Sequence, residues 1–227
     1  MGHAFNYVVL DIIRRIMEDY LGYDLTVVMN ITDIDDKIIL RTRHEHLVAQ
    51  YRAKAEALSE QLATDVAAAI CLYANAAFQE LAAAKIGSPI GSIDDWRAFV
   101  AAVDGGRDPT LAASSEKALM QYGAASAAFE ALVVARQSLA DGELSRAAAA
   151  ALVDSAADVL APWLDAQFRE SVTDPRLFRD LAARWENDYL ADMDALNVRR
   201  PHVLTRVSEF VEDIVRFVQR IIDNGYA

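Results

Sequence analysis

The chain has 227 residues, 54% of them hydrophobic and 25% charged, with a formal net charge of −12. So acidic a chain repels phosphate backbones unless its basic groups are gathered locally, which argues against strong RNA binding through net charge. The single cysteine, Cys71, excludes an internal disulfide framework, and neither an 18-residue apolar run nor a signal-peptide pattern argues for a membrane partner.

Residues 5–21 place Phe5, Val8, Val9, Ile12, Ile13, Ile16, Met17, Tyr20 and Leu21 at helical spacing, and Gly22 is placed to end that helix in a left-handed conformation. Leu25 to Ile31 reads as a buried parallel strand. One helix and one strand cannot bury each other, and no second strand is evident, so a truncated sheet is expected. From Asp36 onward the pattern is helical almost to the end. Residues 45–84 read as one long helix, residues 85–95 as a loop around Gly87, Pro89 and Gly91, and residues 96–103 as a short helix broken by Asp104 to Pro109. Two more helices are expected over 111–140 and 145–169, with Ser145 as N-cap and Pro162 as a kink or break in the second. Residues 175–196 and 204–223 form the last helical pair, joined by a linker containing Pro201. The alanine-rich middle, 48–172, has short loops between amphipathic segments and reads as antiparallel packed helices.

The most informative stretch is Val27 to Ile39, where an apolar run ends in Thr32, Asp33, Asp35, Asp36 and Lys37. Ligands of open α/β sheets bind just beyond the carboxyl ends of the strands, so these polar residues stand where a nucleotide-type fold keeps substrate groups. The three aspartates read best as helix caps and turn residues rather than a metal cluster, and Thr32 reads equally as a cap or a substrate contact. Lys37 either pairs with one of these aspartates or faces the rim of a site, while Ile38 and Ile39 read as core. His44 and His46 diverge on a helix and read as surface residues, Cys71 reads as packing, and Arg206 reads as a surface partner of Glu209.

Met1-Gly2-His3-Ala4, the stretch through Ile39 and Leu40, and the blocks from Asp192 to Val198, Leu204 to Phe210 and Ile221 to Ala227 together resemble cysteinyl-tRNA synthetase, a class I aminoacyl-tRNA synthetase, in its eukaryotic spelling. Gly2-His3 resembles the end of the family's His-x-Gly-His signature, and Lys37-Ile38-Ile39-Leu40 its Lys-Ile-Ile-Lys element, with Leu40 in place of lysine. Arg200 and His202 interrupt a Pro-Pro-Asp spelling, and Glu212 replaces a proline. The resemblance covers roughly the first 50 and last 55 residues, and the helical middle matches chiefly in position.

The resemblance implies a mostly α chain holding part of a Rossmann-like α/β catalytic domain with a large helical connective insertion. Its expected divisions are 1–47, a partial nucleotide-binding segment; 48–172, the insertion; and 173–227, a helical connective region. It implies ATP-dependent activation of cysteine to cysteinyl adenylate and transfer to tRNA(Cys). His3 would be catalytic, Gly2 and His3 would contact ATP, and Gly2 and Thr32 would contact cysteine. A glycine at a helix start allows close approach, and the adjacent histidine and helix dipole suit phosphate. ATP with Mg2+ and one zinc ion are the implied cofactors, with no metal ligand in this chain, because the family's zinc ligands fall outside the three blocks. Truncation at both ends, inactivity of the piece alone and a cytoplasmic location are further expectations. The alternative reading is a non-catalytic helical interaction module or truncated synthetase paralogue.

Overall fold

A computed structural model describes residues 2–103, 108–112 and 114–226, with side chains for all of these except residues 2, 3, 112 and 175. In chain order the elements are α1 (Gly2–Arg15), β1 (Val28–Ile31), α2 (Asp36–Lys54), α3 (Glu60–Ile86), α4 (Ile93–Ala102), α5 (Pro109–Ala112), α6 (Glu116–Ala140), α7 (Arg146–Ser155), α8 (Ala157–Phe168), α9 (Pro175–Ala195), β2 (Val203–Arg206) and α10 (Val211–Asp223). They divide into two compact units, Met1–Thr42 with Asp174–Ala227, and Arg43–Thr173.

The first unit is a two-stranded parallel sheet with helices. β1 pairs with β2 in the register Val28 to Val203 through Ile31 to Arg206. A second strand therefore exists, correcting the sequence expectation. By sequence Val203 falls in a linker and a helix starts at Leu204, but Val203 and Thr205 are β-branched, residues 203–206 form the strand, and the helix starts only at Val211. The first strand is also shorter than Leu25 to Ile31, because its partner begins pairing only at Val203; before that, the Val27 carbonyl accepts from the His202 and Val203 amides. α1 continues through a π-helical turn, Ile16–Tyr20, and ends at Gly22, whose φ of 72° is the left-handed value expected there. α9 ends on Asn197 at φ 57°, with the Val198 amide bonded to the Met193 carbonyl, the wrap of a Schellman motif. Charged bonds fasten the loop after it. Asp11 accepts from the Arg199 amide and from Arg15, while Arg199 also pairs with Glu18 and Asp19. Burial opposes ionisation of Asp11, yet those two hydrogen bonds outweigh it and lower its pKa.

The second unit is a helical bundle with a continuous apolar core. Trp96, Phe99, Ile70, Leu132, Val153 and Leu160 are all fully buried. Residues 45–84 are not one helix: α2 ends at Lys54, and Leu58 turns inward in the break before Ser59 caps α3. α3 runs two residues past the expected end to Ile86, Gly87 caps it at φ 77°, and Ser92 caps α4, which starts at Ile93, three residues ahead of Trp96. The break at Asp104 to Pro109 falls partly outside the described residues; beyond it α5 and α6 are separate helices, the latter capped by Ser115. Ser145 caps α7 through the Ala148 amide, as its position implied. The interruption expected at Pro162 sits instead at Ala156, where α7 and α8 turn by 86°; Pro162 stands inside α8. α3 and α6 are long and apolar enough, by length and composition alone, to cross a membrane. Alanine supplies that character, interspersed with polar side chains such as Tyr73, Asn75 and Ser126, so no unbroken apolar run announces it.

Candidate active site at the strand ends

Thr32, Asp33 and Asp35 follow β1, and Val207, Ser208 and Glu209 follow β2. Because the strands are parallel and in register, both turns emerge at the same edge of the sheet. Asp33 joins them: one carboxylate oxygen accepts from the Ser208 amide at 2.9 Å and the other from the Ser208 hydroxyl. Arg206, the last residue of β2, grips Glu186 of α9 with two bonds of 2.8 and 2.6 Å and reaches Glu209 at 3.0 Å. The surface pair with Glu209 is thus present, but the two-pronged contact is with Glu186. That bond holds the Glu186 carboxyl below its ordinary value, against the smaller opposing effect of burial, and raises the Arg206 guanidinium.

Two cavities open on this edge. One, of about 350 Å3, is lined by Tyr7, Asn30, Thr32, Asp33, Trp185 and Tyr189 among others. Tyr7 and Tyr189 meet edge to face at 5.4 Å, and the Tyr189 hydroxyl donates to the Met29 sulfur. Burial first, and the neighbouring Tyr7 second, push the Tyr189 phenol upward, so it remains a neutral donor. Arg41 lies over the Trp185 ring at 4.7 Å. The second cavity, about 560 Å3, lies on the other side of Asp33 and is mostly apolar, with Ile34, Ile38, Ile39 and Phe178 in its wall.

Thr32 is exposed and lines the first cavity. Asp35 caps α2 by accepting from the Ile38 amide at 2.8 Å. Lys37 is exposed, with no ion pair among the described residues, and Leu40 is exposed as well. Ile38 and Ile39 are half-buried cavity wall rather than core, because the helix face they occupy meets open space. Gly2 and His3 form the first turn of α1; their side chains lie outside the described residues. Tyr7, one turn further along the same helix, shares the cavity with Thr32. Asn30, Glu186, Tyr189 and Ser208 escaped sequence reading. Asp33 and Ser208 each stand two residues past a strand end, a signal legible only once β2 is recognised.

In the second unit His44 and His46 are half-buried on α2. Burial lowers the His44 pKa, with nearby Arg43 adding to it and Asp165 opposing. Arg43 and Asp165 form a two-pronged pair at 2.7 and 2.9 Å. Cys71 is half-buried, and burial raises its thiol. Among the described residues no three His, Cys, Asp or Glu side chains converge on a point where a metal ion could sit. The described residues therefore do not fit a zinc ion.

The family model for the tRNA synthetase class I (C) catalytic domain matches residues 1–227. The cytoplasmic cysteine–tRNA ligases of Xenopus tropicalis and Homo sapiens are each 40% identical over 226 residues, and that of Drosophila melanogaster 37% over 227. These alignments take in 100% of this chain and 26%, 26% and 27% of the relatives, so the chain spans about a quarter of their length. No solved structure gave a significant match. A family match over the full length, on a chain with a parallel sheet and a cavity at its strand ends, shows that this chain belongs to the class I (C) tRNA synthetase catalytic domain family.

Proposed function

We propose that this chain is part of a cytoplasmic cysteine–tRNA ligase that activates cysteine with ATP and transfers it to tRNA(Cys). The observation that carries the reading is the 40% identity over 226 residues to a ligase of that name, a match that takes in 100% of the chain and so includes the polar turn at the cavity mouth. In the proposed reaction the cysteine carboxylate attacks the α-phosphate of ATP and pyrophosphate leaves. The protein's task is to position the groups and stabilise developing phosphate charge. Gly2 and His3, at the positive end of α1, are assigned to ATP, with His3 donating to phosphate. Gly2 and Thr32 are assigned to cysteine; Tyr7, one turn from His3 and in the same cavity wall as Thr32, supports placing the two groups side by side. The Lys37 to Leu40 segment is assigned as the family's Lys-Ile-Ile-Lys element. Residues 48–172 are assigned as an insertion between the nucleotide-binding segment and the connective region. Mg2+ would accompany ATP, and any zinc ion would need ligands beyond the described residues.

The test is amino-acid-dependent ATP–pyrophosphate exchange by the product of the full open reading frame. Exchange driven by cysteine and not by serine is expected. Exchange driven equally by both, or by neither, overturns the assignment.

A further inference from the structure

In the helical second unit, the end of α2 meets α3 and α8 around a cavity of about 520 Å3, within the span of roughly 300–1,000 Å3 usual for small-ligand sites. The cavity lies wholly within that unit and shares no lining residue with the two at the strand ends. Ion pairs hold its walls: Arg43 grips Asp165 of α8, and Arg52 pairs with Asp154 of α7. Buried Leu47 and Leu164 line it, together with half-buried Trp163 and exposed Phe168. Gln167 donates to the Trp163 carbonyl and the Ser171 hydroxyl to the Phe168 carbonyl, which fixes the end of α8.

Two charged side chains line this cavity, Asp65 and Lys54, and they do not pair with each other. Half-buried Asp65 accepts from the Tyr51 hydroxyl at 2.6 Å and from Gln61 at 2.7 Å. Both donors are neutral: burial first, and the bond to Asp65 second, push the Tyr51 phenol upward. The carboxylate therefore keeps its charge, with no cation at ion-pair distance among the described residues. Lys54, the last residue of α2, is exposed and makes no hydrogen bond or ion pair among the described residues either. A half-buried charge without a counter-ion is costly. A ligand that is only a cation would be repelled by Lys54, and one that is only an anion by Asp65. A zwitterion satisfies both, and the aromatic and leucine side chains suit a large apolar substituent on it.

We propose that this cavity binds a free α-amino acid with a bulky apolar side chain, its ammonium at Asp65, its carboxylate at Lys54 and its side chain against Trp163 and Phe168. The site shares no residue with the cysteine contacts assigned above and does not depend on the ligase reading. Its test is calorimetric titration of the full-length protein with phenylalanine. Saturable binding is expected. N-acetylphenylalanine, which lacks the cation, and phenylalaninamide, which lacks the anion, are each expected to bind about tenfold more weakly, the loss of one charged hydrogen bond. Lys54→Ala, at an exposed position, is expected to weaken phenylalanine about tenfold and to leave phenylalaninamide unchanged. Absence of saturable heat with phenylalanine overturns the proposal. So does phenylalaninamide or N-acetylphenylalanine binding as tightly as phenylalanine, which would make this a site for a single charge. Binding of phenylalanine indifferent to Lys54→Ala would place the ligand elsewhere and overturns it as well.

Discussion

Asp33 makes the edge of the sheet one object rather than two turns. Its carboxylate takes both polar hydrogens of Ser208, which leaves Thr32 beside it as the free hydroxyl facing the cavity. If that hydroxyl holds substrate, Thr32→Val should raise the KM for cysteine by about tenfold, the worth of one lost hydrogen bond, whereas Thr32→Ser should stay near the parent. Steady-state exchange kinetics check both. Glu186 carries a pH consequence. Its folded pKa is lowered from the ordinary 4.5, so its contribution to stability is fully present above that value and drains away as pH falls through the lowered one. The fluorescence of neighbouring Trp185 should therefore change on acidification below pH 4.5, and Glu186→Gln should flatten that change. Thr32 and the aspartates were legible in sequence because a polar cluster after an apolar run is chemically abrupt. Ser208 was not, because its role comes from contact with Asp33 across 175 residues of chain, and Glu186 was not, because its partner Arg206 lies on another element 20 residues on, which no local pattern encodes.

Caps and breaks governed how well the elements could be foreseen. Ser145 and Gly22 announce their helix ends through local chemistry, and both act as anticipated. β2 was hidden because four residues are too few for a period to emerge, and the pairing that defines them lies with Val28 to Ile31. Pro162 misled because a proline's cost depends on what surrounds it, and the chain had already turned at Ala156. Asn197 is the cap with the clearest energetic consequence, since it holds φ 57° at the end of α9. Asn197→Ala should destabilise the first unit by about 1–2 kcal/mol, the cost of a left-handed β-carbon. Asn197→Gly should be near neutral, as denaturant titration would show.

At the scale of the whole molecule the two units differ in what they bury. The second unit sequesters Trp96, Phe99, Leu132, Leu160 and many others, whereas the first has only Leu181 and Met193 among its described buried apolar side chains. α1 and α10 expose Phe5, Leu10, Ile13, Val215 and Phe217. Charged bonds such as Asp11 to Arg199 hold the first unit more than a core does. Amide exchange in this 227-residue chain should therefore be slow along α3, α6 and α8 and fast along α1 and α10; equal protection would mean the exposed faces are covered in solution. The fold class and helical middle were readable from composition and period, while this imbalance was not, because exposure depends on what each apolar face meets. The central claim is that the edge where Thr32 and Asp33 leave the sheet holds the reacting groups. Its most direct test is a crystal structure of the full-length protein with a non-hydrolysable sulfamoyl analogue of cysteinyl adenylate. The account expects the analogue's cysteinyl end within about 3 Å of the Thr32 hydroxyl and its linkage at the start of α1. Density for the analogue elsewhere, with this edge empty, would contradict it.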